Sequence, residues 1–291
     1  MLRMANDMLP DDACRHLFVT DLDGTLLTND AKVSRRTAHI ISDLSHRGAM
    51  ITVATARTPA TVDRLLQHTF TRLPAIVMTG AAMWDRRHRI CVDIHPISTA
   101  SSEIAISTCR KYGITPFIYT LAPDSTLDVY INGDITPREQ KFIDDRLGLQ
   151  LKRFHINTPE GLRTGFENNM LIFAMGEYDR LEQAADELRR NTDLAVSFYP
   201  DNYNPDAALL EILAPNVSKA NAIRNLGERI GATEITVFGD NLNDLSMMSV
   251  ADHAVAVANA QPHVLDRAET IIGPNNADSV AEYINDILSS Y

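Results

Sequence analysis

His16-Leu17-Phe18-Val19-Thr20-Asp21-Leu22-Asp23-Gly24-Thr25-Leu26-Leu27 is the stretch from which the fold of this chain can be read. A short apolar run ends in two carboxylates one residue apart, then a glycine and a threonine. Such a run, bounded by turn residues, reads as a buried strand. A strand that stops on Asp21 holds that side chain at the carboxyl edge of its sheet, where open α/β sheets bind their ligands. Gly24 permits a tight turn after Asp23. Two acids facing one point suit a nucleophile beside an acid/base, with a metal ion screening their repulsion.

The pattern repeats outward from this strand. Ser34 is placed to cap a helix running to about His46, and Gly48 ends it. Met50 to Ala54 reads as a second buried strand, ending in Thr55-Ala56-Arg57, with a helix from about Thr58 to His68 after it. Ala75 to Met78 reads as a third strand. Strands and helices alternating at this spacing mean βαβ units and a parallel sheet. Near Trp84 the rhythm changes to alternating strands between fewer helices, the mark of an α+β segment. It returns after Thr192. The expected architecture is therefore a discontinuous Rossmann-like core, residues 1–84 and 193–291, with an inserted α+β domain at 85–192. The core takes Ala207–Leu213, Glu234–Phe238, His253–Val257 and Thr270–Ile272 as further strands.

The 291 residues, 45% of them hydrophobic, allow one large domain or two. The formal charge is −11 with no basic block, which argues against nucleic acid and anionic membranes as partners. Cys14, Cys91 and Cys109 are odd in number and widely spaced, so a disulfide framework and a zinc site are both disfavoured. No run reaches membrane-spanning length and the N-terminal residues lack a signal-peptide core, so a cytoplasmic location is expected. The nine histidines show no metal-ligand pairing.

Further chemistry clusters at three points. Thr55 ends the second strand. Lys219 stands in the first turn of a helix, where an ammonium and a helix N-terminus together favour an anion. Gly239-Asp240-Asn241-Leu242-Asn243-Asp244 is a strand end and helix start rich in carboxylates. Hard oxygen ligands of this kind suit magnesium, which keeps several waters.

The ordered set Asp-x-Asp-Gly-Thr, Thr55, Lys219 and Gly-Asp-x-x-Asn-Asp resembles the haloacid dehalogenase superfamily of phosphotransferases. An insertion between the second and third motifs, with Leu210-Glu211-Ile212 shortly before Asn216-Val217-Ser218-Lys219, is similar to the Cof-type branch and its α/β cap. The resemblance covers nearly the whole chain. It implies that Asp21 attacks phosphorus to form an aspartyl phosphate. Asp23 then protonates the leaving oxygen and later deprotonates the hydrolytic water. Thr55 and the Ala56 N–H hold phosphoryl oxygens, with Arg57 and Asn243 nearby. Lys219 neutralises the phosphoryl group and orients Asp21. Mg2+ is held by Asp21, the Asp23 carbonyl and Asp240, with Asp244 behind it.

The implied activity is a magnesium-dependent phosphatase acting on small phosphorylated metabolites, sugar phosphates first, as a monomer. A phosphosugar mutase on the same core and a catalytically silent binding protein are the alternatives. Cap loops such as Asn132-Gly133-Asp134 and Glu167-Asn168-Asn169 are expected to set specificity. The sequence departs from the family in Ala56 and Ala220, where glycine is usual, and in Thr79, where asparagine is.

Overall fold

The computed structural model describes residues 15–159, 161, 167–200, 204 and 206–290. Cys14 and the N-terminal acids lie outside the described residues. The chain forms two compact units. One takes the residues up to Thr55, Val62–Ile76 and everything from Lys219 onward; the other takes Ala56–Thr61 and Val77–Ser218.

The first unit opens with β1 (His16–Thr20), one wide turn (Leu22–Leu26), α1 (Arg35–His46) and β2 (Met50–Val53). Next come α2 (Pro59–Leu65) and β3 (Ala75–Val77), each divided between the units. The second unit then runs through β4 (Ala82–Asp85), β5 (Ile90–Val92), α3 (Thr99–Lys111), β6 (Phe117–Leu121) and β7 (Leu127–Ile131). It continues with α4 (Pro137–Asp144), β8 (Lys152–Ile156), β9 (Asn169–Glu177), α5 (Tyr178–Asn191), β10 (Ala195–Pro200) and β11 (Ala207–Leu213). The first unit resumes with α6 (Lys219–Ile230), β12 (Glu234–Gly239), α7 (Leu245–Met248), β13 (His253–Val257), α8 (Pro262–Leu265), β14 (Thr270–Ile272) and α9 (Ser279–Ser289).

The first unit is built on a parallel sheet in the order β14-β13-β12-β1-β2, extended past β2 by a parallel bridge from Ala54 to Ile76. β1 lies inside this sheet, and all five of its residues are buried. That explains its unbroken apolar run, since an interior parallel strand has no wet face. Its one histidine, His16, shares a 2.7 Å hydrogen bond with Thr236 Oγ1, so that ring nitrogen is satisfied. Ser34 caps α1 as expected, accepting from the Thr37 N–H. α1 turns Ala38, Ile41 and Leu44 inward and packs against α9.

The second unit is a six-stranded sheet, β10-β11-β9-β6-β7-β8, antiparallel except between β7 and β8. Helices α3 and α5 pack against its β9 side. Phe142 of α4 lies against Phe117 and Phe173, which face each other across β6 and β9.

The boundaries differ from the expected ones. Ala207–Leu213, assigned above to the core, pairs antiparallel with β9 and β10, so the chain re-enters the parallel-sheet unit at Lys219 and not at 193. Interior strands of either sheet are covered on both faces and read alike in sequence. The expected 84/85 boundary likewise moves back to the Ile76–Val77 peptide, and α2 stops at Leu65. β8 and β10 went unpredicted. They are the two edges of the sheet, and β8 carries Lys152, Arg153 and His155 in place of an apolar run. Among the described residues no helix is long and apolar enough to cross a membrane. Cys91 and Cys109 are free thiols, each pushed up to about 12 by burial.

Candidate active site

β1 and β12 are neighbours, and the chain reaches them from opposite ends of the sequence. This is the reversal in strand order at which open α/β sheets form a crevice. Asp21 continues the β1–β12 ladder by one bond, its N–H donating to Phe238 O at 2.9 Å. The backbone then leaves the sheet in a turn closed by Leu27 N–H to Leu22 O at 2.8 Å. Gly24 has φ +75°, and a Cβ there would lie 2.8 Å from the Asp240 carboxyl carbon. Both facts require glycine. Thr25, next in the turn, donates its hydroxyl to Asp240 Oδ1 at 2.9 Å.

Lys219 begins α6, and its side chain is fully buried. Its ammonium donates to Asp21 Oδ1 at 2.6 Å and to Asp244 Oδ1 at 2.7 Å. The other oxygen of Asp244 accepts the N–H groups of Asp240 and Asn241, both at 3.1 Å. Asn241 in turn accepts from the Leu242 N–H at 2.7 Å and from Gln261 Nε2 at 2.9 Å. The acidic turn after β12 is thus wrapped around one buried carboxylate. Gly239 leaves room for it, since a Cβ there would lie 2.6 Å from Asp244 Cβ.

One oxygen from each of Asp21, Asp240 and Asp244 falls within 4.8 Å of the others. Burial pushes the Asp21 carboxyl up to about 8; the Lys219 charge opposes this, and Asp244 and Asp240 add to it. Burial and the Asp244 charge raise Asp240 to about 6. Burial acts to lower the Lys219 pKa, but the charges and hydrogen bonds of Asp21 and Asp244 outweigh it and hold the ammonium above its usual value. One ammonium therefore sits among three carboxylates. That donor set fits a hard divalent cation. Both oxygens of Asp244 are already bonded to protein, which leaves Asp21 and Asp240 as the side chains facing such an ion.

Of the other expected site residues, Asp23 is exposed on the turn, and Thr55 is 1% exposed just after β2. Asn243 sits in a short 3-10 turn, and its buried Oδ1 has no hydrogen-bond partner among the described residues. Ala56 and Arg57 are half-buried and belong to the other unit, where the Arg57 carbonyl accepts from the Met78 N–H at 3.0 Å. Thr79 also lies there. It has φ +56°, a conformation that asparagine adopts more readily than a β-branched residue, and its hydroxyl reaches Glu211 Oε2 at 3.4 Å. Asn169 is fully buried, with neither amide atom partnered among the described residues. Thr25, Asn241 and Gln261 were not foreseen as site residues. Thr25 was readable from its place two residues after Asp23; nothing local marks the other two.

A family model described as haloacid dehalogenase-like hydrolase matches residues 18–284. The Bacillus subtilis protein YwtE, named 5-amino-6-(5-phospho-D-ribitylamino)uracil phosphatase, is 28% identical over 92% of this chain and 96% of its own. The HMP-PP phosphatase of Serratia proteamaculans is 26% identical over 93% of this chain and 94% of its own. Among solved structures, a haloacid dehalogenase-like hydrolase from Bacteroides thetaiotaomicron matches with a TM-score of 0.75 at 22% identity, over 94% of this chain and 99% of that one. The HAD subclass IIB sugar phosphatase BT4131 matches with a TM-score of 0.71 at 17% identity, over 94% and 98%. At these identities the structural likeness is one of fold.

Proposed function

The chain belongs to the haloacid dehalogenase-like hydrolases and is a phosphatase of that family, and we propose that it hydrolyses small phosphorylated metabolites, sugar phosphates first, through a covalent intermediate on Asp21. The observation that carries this reading is the buried Lys219 ammonium, held between Asp21 and Asp244 beside Asp240. An ammonium at that point neutralises a phosphoryl group and fixes the attacking carboxylate. Phosphoryl transfer asks a protein for little more than such positioning and charge.

A carboxylate oxygen of Asp21 forms the new bond to phosphorus as the ester oxygen departs. Asp23 gives that oxygen its proton. Asp23 then takes a proton from water, whose oxygen attacks phosphorus and releases phosphate from Asp21. Thr55 and Asn243 supply hydrogen bonds to phosphoryl oxygens. Asp21 and Asp240 would hold Mg2+ together with the Asp23 carbonyl, while Asp244 keeps the turn and Lys219 in place. When bound, the ion supplies positive charge that lowers the repulsion between the carboxylates and the incoming phosphoryl group.

The small-metabolite substrate class is supported by relatives named for phosphorylated small molecules. Phosphate release from a panel of sugar phosphates, nucleotides and an activated aryl phosphate, with Mg2+ or with EDTA, tests the proposal. Turnover dependent on Mg2+, independent of any bisphosphorylated sugar and lost in Asp21→Asn is the expected result. Protein that releases no phosphate from the panel, or an Asp21→Asn variant of undiminished activity, overturns it.

A further inference from the structure

Two asparagines far from Asp21 in sequence hold the turn that carries Asp23. Asn259, just after β13, donates its amide to the Gly24 carbonyl at 2.8 Å. Its own amide oxygen accepts from the Asn275 N–H at 2.8 Å. Asn275, in the short turn after β14, is 6% exposed and donates its amide to the Leu27 carbonyl at 2.8 Å and to Asn29 Oδ1 at 3.1 Å. Asn276 accepts from the Asn29 N–H at 2.9 Å. Asp278, two residues on with φ +56°, takes the hydroxyls of Ser34 and Thr37. The loops after β13 and β14 thus grip the whole segment from Gly24 to Thr37.

The grip matters most at Gly24. The internal bonds of the turn span Gly24 but use the carbonyls of Asp21 and Leu22, which leaves the Gly24 carbonyl to Asn259. With φ +75° and ψ −5° and no side chain, Gly24 is the softest joint between Asp23 and Thr25. Thr25 is tied to Asp240 on the far side of that joint. The Asn259 bond holds the peptide that follows Gly24, and with it the turn on which Asp23 stands.

We infer that Asn259, backed by Asn275, is a positioning residue for Asp23. It sets the proton-transfer carboxyl of the hydrolysis without itself touching the carboxylates. This inference rests on the phosphatase reading. A misaligned proton donor slows esters that need their leaving oxygen protonated, and it spares esters whose leaving group departs as a stable anion.

The test compares Asn259→Ala with wild type on an alkyl phosphate and on an activated aryl phosphate, at equal Mg2+. The expected result is a fall in kcat of about 30-fold or more on the alkyl ester and about 3-fold on the aryl ester, with KM little changed. Asn259→Asp keeps the acceptor for Asn275 but loses the donor to Gly24, and should behave as Asn259→Ala does. Asn259 is exposed, so both variants should fold; a matching thermal midpoint checks this. Equal losses on the two esters, or none, overturn the inference while leaving the phosphatase reading intact. Wild-type protein inactive on both esters removes that reading and the inference with it.

Discussion

Lys219 Nζ lies 2.7 Å from Asp244 Oδ1, and neither side chain reaches solvent. Removing Asp244 leaves the buried ammonium with Asp21 as its remaining carboxylate partner, and breaking a buried ion pair usually costs more than the pair itself was worth. Asp244 also satisfies the N–H groups of Asp240 and Asn241. Asp244→Ala should therefore lower the unfolding free energy by roughly 3–5 kcal/mol and abolish turnover. Urea denaturation of the variant measures the first. A loss below about 1 kcal/mol, the range of an exposed pair, would contradict the role given to Asp244.

Gly24 and Gly48 separate two effects of glycine. Both have positive φ, +75° and +105°, but a Cβ at Gly24 meets the Asp240 carboxylate and one at Gly48 meets nothing within 4 Å. Gly48→Ala should cost about 1 kcal/mol through backbone strain alone and leave activity intact. Gly24→Ala should cost more, displace Asp240 and weaken Mg2+ binding. Calorimetric titration with Mg2+ on the two variants reads the difference. Equal Mg2+ affinity in both would contradict it.

The rings of His16 and His253 lie 6.3 Å apart and are shifted in opposite directions. Burial lowers His16 from the usual 6.5. Hydrogen bonds to Glu269, at 2.9 Å, and to Glu234, at 2.7 Å, raise His253. His253 therefore adds stability that is complete below its unfolded pKa and fades as pH rises through its higher folded value. His16 behaves in reverse. It adds stability above 6.5 that is lost as pH falls through its depressed folded value. Imidazole NMR titration should resolve two midpoints on either side of 6.5. His253→Gln should flatten the decline in stability on the alkaline side. A His16 midpoint above 6.5 would contradict the assignment.

The parallel sheet and its acidic edge were readable because an interior strand must be apolar throughout and must end abruptly where its polar ligands begin. Asp21 and Asp240 announced themselves in this way and Lys219 by its place in the first turn of a helix, and the structure brings all three together. The return point of the chain was misread at Ala207–Leu213, because covered strands look the same in either sheet. β8 and β10 were missed because an edge strand needs no apolar alternation. Asn259 and Asn275 were invisible for a different reason. An asparagine in a loop is ordinary, and only the fold brings it beside a turn more than 200 residues earlier, with 235 positions between Asn259 and Gly24.

The same separation bears on how the enzyme is made. Asp21 and Lys219 are 198 positions apart, and β1 has β12 as a sheet neighbour. A ribosome releases the nucleophile strand first and its partner only near the end, so the catalytic sheet cannot close during most of translation. The six-stranded sheet draws on one nearly continuous stretch and is complete before α6 emerges. Throughout that interval β1 has β2 for one edge and no partner for the other, which β12 will cover, and aggregation during synthesis, not instability of the finished fold, becomes the natural hazard for variants that slow the last third of the chain.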